Sequence, residues 1–143
     1  MRGLLTHAAE LGVRVHVAHL PHPYRGYYDP DQRAIVYDFN LTPIERRCVL
    51  AHELGHAYYD HREFGDDASE KAADAYAASL LIDPAEYARL ERICADPTTL
   101  AEELQVTEDL LRTFQMNAIQ RLQGATYVHA RMGAGQYQHR WVG

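Results

Sequence analysis

His52-Glu53-Leu54-Gly55-His56 is the stretch on which the reading of this 143-residue chain turns. On a helix, residues four apart lie one turn apart on a common face, so His52 and His56 point the same way. Two imidazoles at that spacing can hold one Zn²⁺ at about 2.0–2.1 Å from each nitrogen. Glu53 projects near the same face but to one side, where its carboxylate can work on water rather than bind the metal. The pentapeptide therefore predicts a zinc hydrolase site with Glu53 as general base. Nine histidines make a chance match easier, so the flanking sequence has to fit as well.

It does. Thr42-Pro43-Ile44-Glu45 reads as a capping box with proline at the first helical position, ten residues before the motif. Ile44, Val49, Leu50, Leu54 and Ala57 then predict a buried side, and no proline interrupts before Asp60. Gly55 costs about 1 kcal/mol in a helix interior. Its presence points to another backbone passing close by.

Two histidines need a third protein ligand and an open position. Glu70 and Asp74 share a face of an alanine-rich segment that continues into Leu80-Leu81-Ile82. Glu70 is the candidate third ligand. Asp74 is the candidate acceptor for the other ring N–H of a ligating histidine, which would fix that ring's tautomer. A competing reading takes Asp67-x-x-Glu70 as a helix-capping pair and Asp74 as a solvated surface residue. The residues alone leave both open.

The HELGH pentapeptide, followed by Glu70-x-x-Ala73-Asp74-x-Tyr76-Ala77-Ala78-x-Leu80-Leu81-x-Asp83-Pro84, resembles the ImmA/IrrE metallopeptidase family. The preceding strand-like Gly12 to Ala18, the Gly26-Tyr27-Tyr28 turn segment and Ala34-Ile35-Val36-Tyr37 fit the same resemblance, which covers most of the first 95 residues. Tyr76 stands where the family usually has Phe, and Asp83 where it has Met. The resemblance implies a gluzincin-like zinc peptidase with His52, His56 and Glu70 as metal ligands and Glu53 as general base. It also implies a protein substrate, a helix-turn-helix repressor of a phage or mobile element. Relatives often carry a histidine four residues past the second ligand. Here His61 comes five past His56, and no role is transferred to it.

Cys48 and Cys94 are too few and too far apart for a disulfide scaffold or a CxxC metal site. Cys48 falls one turn before His52, but metal held between the two histidines would lie about a further 5.4 Å pitch away. It reads as a small buried hydrophobe. His7, His16, His19, His22, His129 and His139 read as structural or solvated, and nothing in the spacing selects an oxyanion-stabilising group among them or among ten tyrosines. No apolar run approaches the roughly 20 residues of a membrane span, and the amino terminus lacks a signal-peptide core. The expectation is a reduced, cytoplasmic protein.

The coarse organisation is α+β: a zincin-like core over residues 1–95, with a small antiparallel sheet packed on the HExxH helix, and a helical segment over 96–143. In the core, a short helix over 2–11 precedes a strand at Val13–Val17. A hairpin of residues 24–28 and 33–39 turns at Asp29-Pro30-Asp31-Gln32. Its edge could pair with an extended peptide. A helix is expected from Asp83-Pro84 to about Ala95. Thr99 to Phe114 then reads as two short helices in a helix-turn-helix pattern with Leu100, Ala101, Leu104, Val106, Leu110, Leu111 and Phe114 inside. The residues from Gly124 show no strong period. Net charge is −6, from 14 basic and 20 acidic residues. Glu108 and Asp109 open the would-be recognition helix, where phosphate contacts need cations. Direct DNA binding is therefore disfavoured against protein docking. Three functions are consistent with this reading: a peptidase acting on a regulator, a zinc-bound antagonist of that regulator that does not cut it, and a DNA-binding regulator.

Overall fold

The computed structural model describes residues 2–62 and 65–132. Helix α1 (Arg2–Glu10) leads to strand β1 (Arg14–Ala18) through Gly12, whose φ of +72° lets Val13 N–H return to the Ala8 carbonyl at 2.9 Å. Strands β2 (Gly26–Asp29) and β3 (Ala34–Asp38) form the expected antiparallel hairpin, with Tyr28 opposite Ile35. β1 joins the other side of β3 in parallel, with Val15 opposite Ile35, giving the order β1-β3-β2. The α+β class holds, and the sheet is mixed rather than purely antiparallel. The reason is topological: the chain reverses between β1 and β2 and again in the hairpin, which returns β3 to the direction of β1.

Helix α2 (Pro43–Tyr59) starts as its sequence dictates. The Thr42 hydroxyl accepts from Glu45 N–H at 3.2 Å, and the Glu45 carboxylate accepts from Thr42 N–H at 3.0 Å. Its inner side buries Leu50, Ala51, Leu54 and Ala57 against the sheet and against helix α3 (Asp67–Leu81). The cap of α3 is Asp66, which accepts from Ser69 N–H at 3.0 Å. Asp67 is thus the first helical residue, and Glu70 is released from the Asp67 capping pair. Helices α4 (Pro84–Glu91) and α5 (Pro97–Leu104) each follow an aspartate cap with proline in the first turn. α4 ends earlier than expected, in a turn from Ile93 and Cys94 N–H to the Leu90 carbonyl.

Helix α6 (Glu108–Met132) is long where a short helix was expected. Residues 124–132 continue it instead of forming an aperiodic tail, because one glycine weakens a helix by about 1 kcal/mol without ending it. Residues 133–143 lie outside the described residues. Leu100, Leu104, Val106, Leu110 and Leu111 enter the same core as Tyr28, Ile35, Leu50 and Leu54. No helix among the described residues is long and apolar enough to cross a membrane.

Candidate metal centre

α2 and α3 meet where Gly55 passes Ala73. A Cβ on Gly55 would lie 2.9 Å from Ala73 Cα and 3.0 Å from its carbonyl oxygen, so only glycine permits this crossing. The crossing carries Glu70 over the face that bears His52 and His56. His56 Nε2 lies 3.1 Å from His52 Nε2 and 2.6 Å from Glu70 Oε2, and His52 Nε2 lies 3.6 Å from Glu70 Oε1. Tetrahedral ligands at 2.0–2.1 Å from one ion sit roughly 3.3 Å apart. The three side chains therefore converge at about the separation that one small divalent ion requires, and the donor set of two imidazoles and a carboxylate fits it. Among the described residues, His52, His56 and Glu70 are the group that can hold a metal.

Both ligand-type histidines have a partner on Nδ1. His52 Nδ1 lies 2.8 Å from Asp74 Oδ1. Burial lowers the pKa of His52, but the Asp74 hydrogen bond and the charges of Glu53, Asp74 and Glu70 outweigh it, so the net direction is up. His56 Nδ1 lies 2.9 Å from His61 Nδ1. Burial, followed by the neighbouring His52, holds His56 below the usual histidine value despite Glu70. Glu53 is buried, at 8% exposure, and burial pushes its carboxyl up to about 7, Glu70 adding to the rise and His52 opposing it.

Glu53 stands between two cavities. The larger, about 420 Å³, runs along His52 and Asp74 to Tyr24, Arg25 and the first turns of α6, where Thr107, Asp109, Leu110 and Thr113 form its far wall. The smaller, about 100 Å³, is lined by Tyr27, Tyr28, His56, His61 and Glu70. Gly26 on β2 borders both. Among the described residues β2 pairs with β3 alone, and Gly26, Tyr27 and Tyr28 on β2 line the cleft. Cys48 is buried and accepts from Thr107 N–H at 3.4 Å, tying α2 to the start of α6. Tyr58 and Tyr59 instead gather with Tyr76, which is hydrogen-bonded to His7.

The family model for the IrrE N-terminal-like domain, peptidase M78, matches residues 8–113. The chain belongs to this family. Its His-His-Glu group thus sits in a metallopeptidase-family domain. Among solved structures, a Mycobacterium tuberculosis transcriptional regulator resembles this peptidase M78 domain with a TM-score of 0.57 at 20% identity. The likeness covers 78% of this chain and 40% of that one, and at such identity it is a likeness of fold. No curated protein matches the sequence.

Two features of the peptidase M78 site escaped the sequence. His61 takes no role from the family pattern, because it comes five residues past His56 where relatives have a histidine four past. Asp60 ends α2 in the left-handed region, at φ 52° and ψ 49°, and the chain swings back over the last turn. An aspartate just after the last periodic residue is a faint sign of such a turn. The α6 wall of the cleft had no sequence sign, because it depends on how the last helix packs.

Proposed function

We propose that this chain is a zinc-dependent endopeptidase acting on a regulatory protein, of which a helix-turn-helix repressor is the leading case. The observation that carries the reading is the convergence of His52, His56 and Glu70 beside buried Glu53, on a cleft bordered by an open strand edge. His52, His56 and Glu70 would hold the ion, and Asp74 orients His52. A zinc ion held there would supply Lewis acidity for amide hydrolysis.

Glu53 takes a proton from the attacking water as the new C–O bond forms. It returns that proton to the departing amine nitrogen as the C–N bond breaks, which balances the hydrolysis. An extended substrate lies along the free edge of β2, exchanging main-chain hydrogen bonds with Gly26–Tyr28. α6 serves the protein side of recognition rather than DNA. Glu108 and Asp109 occupy its first turn, where phosphate would meet negative charge, and Asp109 lines the cleft.

The test is co-expression with any helix-turn-helix repressor found encoded beside this chain, followed by affinity purification and intact-mass measurement. A discrete repressor cleavage that depends on Glu53 and vanishes in Glu53→Gln supports the peptidase. Uncut repressor co-purifying equally with both forms points to a non-cleaving antagonist and rejects it.

A further inference from the structure

We propose that His61 is a positioning residue for the metal centre, accepting the Nδ1–H of His56 and so fixing the tautomer and ring plane in which His56 presents Nε2. The proposal rests on the reading of His56 as a ligand.

The geometry is specific. The two Nδ1 atoms are 2.9 Å apart, and the rings meet edge to face, with centroids 5.1 Å apart at 70°. A nitrogen that faces a metal must offer its lone pair, so the ring proton of neutral His56 resides on Nδ1. One of two imidazole nitrogens in hydrogen-bond contact must accept. His61 Nδ1 is therefore the acceptor, with its own proton on Nε2.

Two contacts hold His61 there, and its neighbour Asp60 is anchored as well. Its backbone N–H returns to the His56 carbonyl at 2.9 Å, across the left-handed Asp60. Tyr59 stacks on its ring at 5.3 Å and 20°. Asp60 is in turn tied to the sheet, with its carboxylate 3.3 Å from the Tyr28 hydroxyl and 3.6 Å from the Arg33 guanidinium.

The two ligand-type histidines are thus supported differently. His52 leans on the Asp74 carboxylate, and His56 on the His61 imidazole. Glu53, Glu70 and Asp74 already bring three carboxyl groups to the site. A fourth beside His56 would add negative charge at close range, whereas His61 orients the ring without it.

The experiment is cobalt loading of the full chain, in wild type, His61→Phe, His61→Lys and His61→Gln. Co²⁺ affinity is measured by chelator competition, the visible absorption of the bound ion reports ligand geometry, and circular dichroism of the metal-free forms monitors folding. Loss of the acceptor in His61→Phe or His61→Lys lowers affinity about 10–100-fold and alters the visible bands. His61→Gln, which keeps an acceptor, recovers affinity and bands toward wild type. Wild-type affinity and spectrum in a folded Phe or Lys variant overturn the proposal. So do Gln and Lys variants equally impaired, which marks a merely structural role. Wild type that takes up no cobalt overturns the metal-site reading itself, a failure distinguishable from the others.

Discussion

Glu70 reaches the site from a different helix than His52 and His56, so its removal leaves two imidazoles on one helix face and no anionic ligand. Glu70→Ala should therefore lose metal on dialysis against a weak chelator, read as metal per chain by elemental analysis. Retention of one ion per chain would move the ligand role to Asp74. Glu53→Gln should behave oppositely: metal content unchanged and, on the proposed peptidase reading, cleavage reduced about 10²–10⁴-fold, the usual scale of a general acid–base contribution. His52, Glu53 and His56 were legible because one helical turn places them and needs no tertiary information. Glu70 and Asp74 were legible as a pair on one face, but whether Glu70 belonged to a capping pair required the helix start. Asp66, not Asp67, caps α3, and that frees the Glu70 carboxylate for the site. His61 was not legible, because its position depends on one residue, Asp60, adopting positive φ.

The crossing of α2 and α3 at Gly55 predicts a result opposed to helix propensity. Alanine is intrinsically better than glycine in a helix by about 1 kcal/mol. Here its Cβ would press on Ala73 backbone atoms at 2.9 and 3.0 Å, which cannot rotate away. Gly55→Ala should destabilise by about 1–3 kcal/mol in urea unfolding, as overpacking does, and a stabilised variant would refute the close crossing. The start of α2 makes a separate prediction. Hydrogen bonding from Thr42, opposed by partial burial and aided by Arg25, holds the Glu45 carboxyl below its ordinary 4.5. A carboxyl lowered in the folded state contributes stability that is full above 4.5 and lost as pH falls through the folded value. Glu45→Gln should thus be less stable than wild type near neutral pH, by about 1 kcal/mol or less. The gap should close in acid, and a gap independent of pH would contradict the assignment. Helix starts were the best-read elements, since each is written in a short run such as Thr42-Pro43 or Asp83-Pro84. The parallel placement of β1 was not written locally, because it follows from the chain reversals that come after it.

At the scale of the molecule, the residues from α5 and α6 complete the core that supports the site. Leu111 is fully buried beside residues of the earlier elements. Leu111→Ala should cost about 2–5 kcal/mol. Its thermal unfolding, followed both by circular dichroism and by release of bound metal, should shift together for the two probes; metal release at the wild-type temperature would show the site to be independent of α6. The apolar spacing of Thr99 to Phe114 did reveal an inner face, but periodicity reports only that a face is covered and not what it covers. Thr107 just before α6, with Asp109, Leu110 and Thr113 on it, closes one side of the larger cavity beside His52 and Glu53. That closure gives the protein a built-in timing. During synthesis the three side chains that could hold a metal are all present once Glu70 has been added. The far wall of the cleft arrives only with Thr113, a few seconds later at about 5–20 residues per second. Because α5 and α6 also complete the core beneath the site, the candidate metal centre and its cleft are finished together, at the end of that interval.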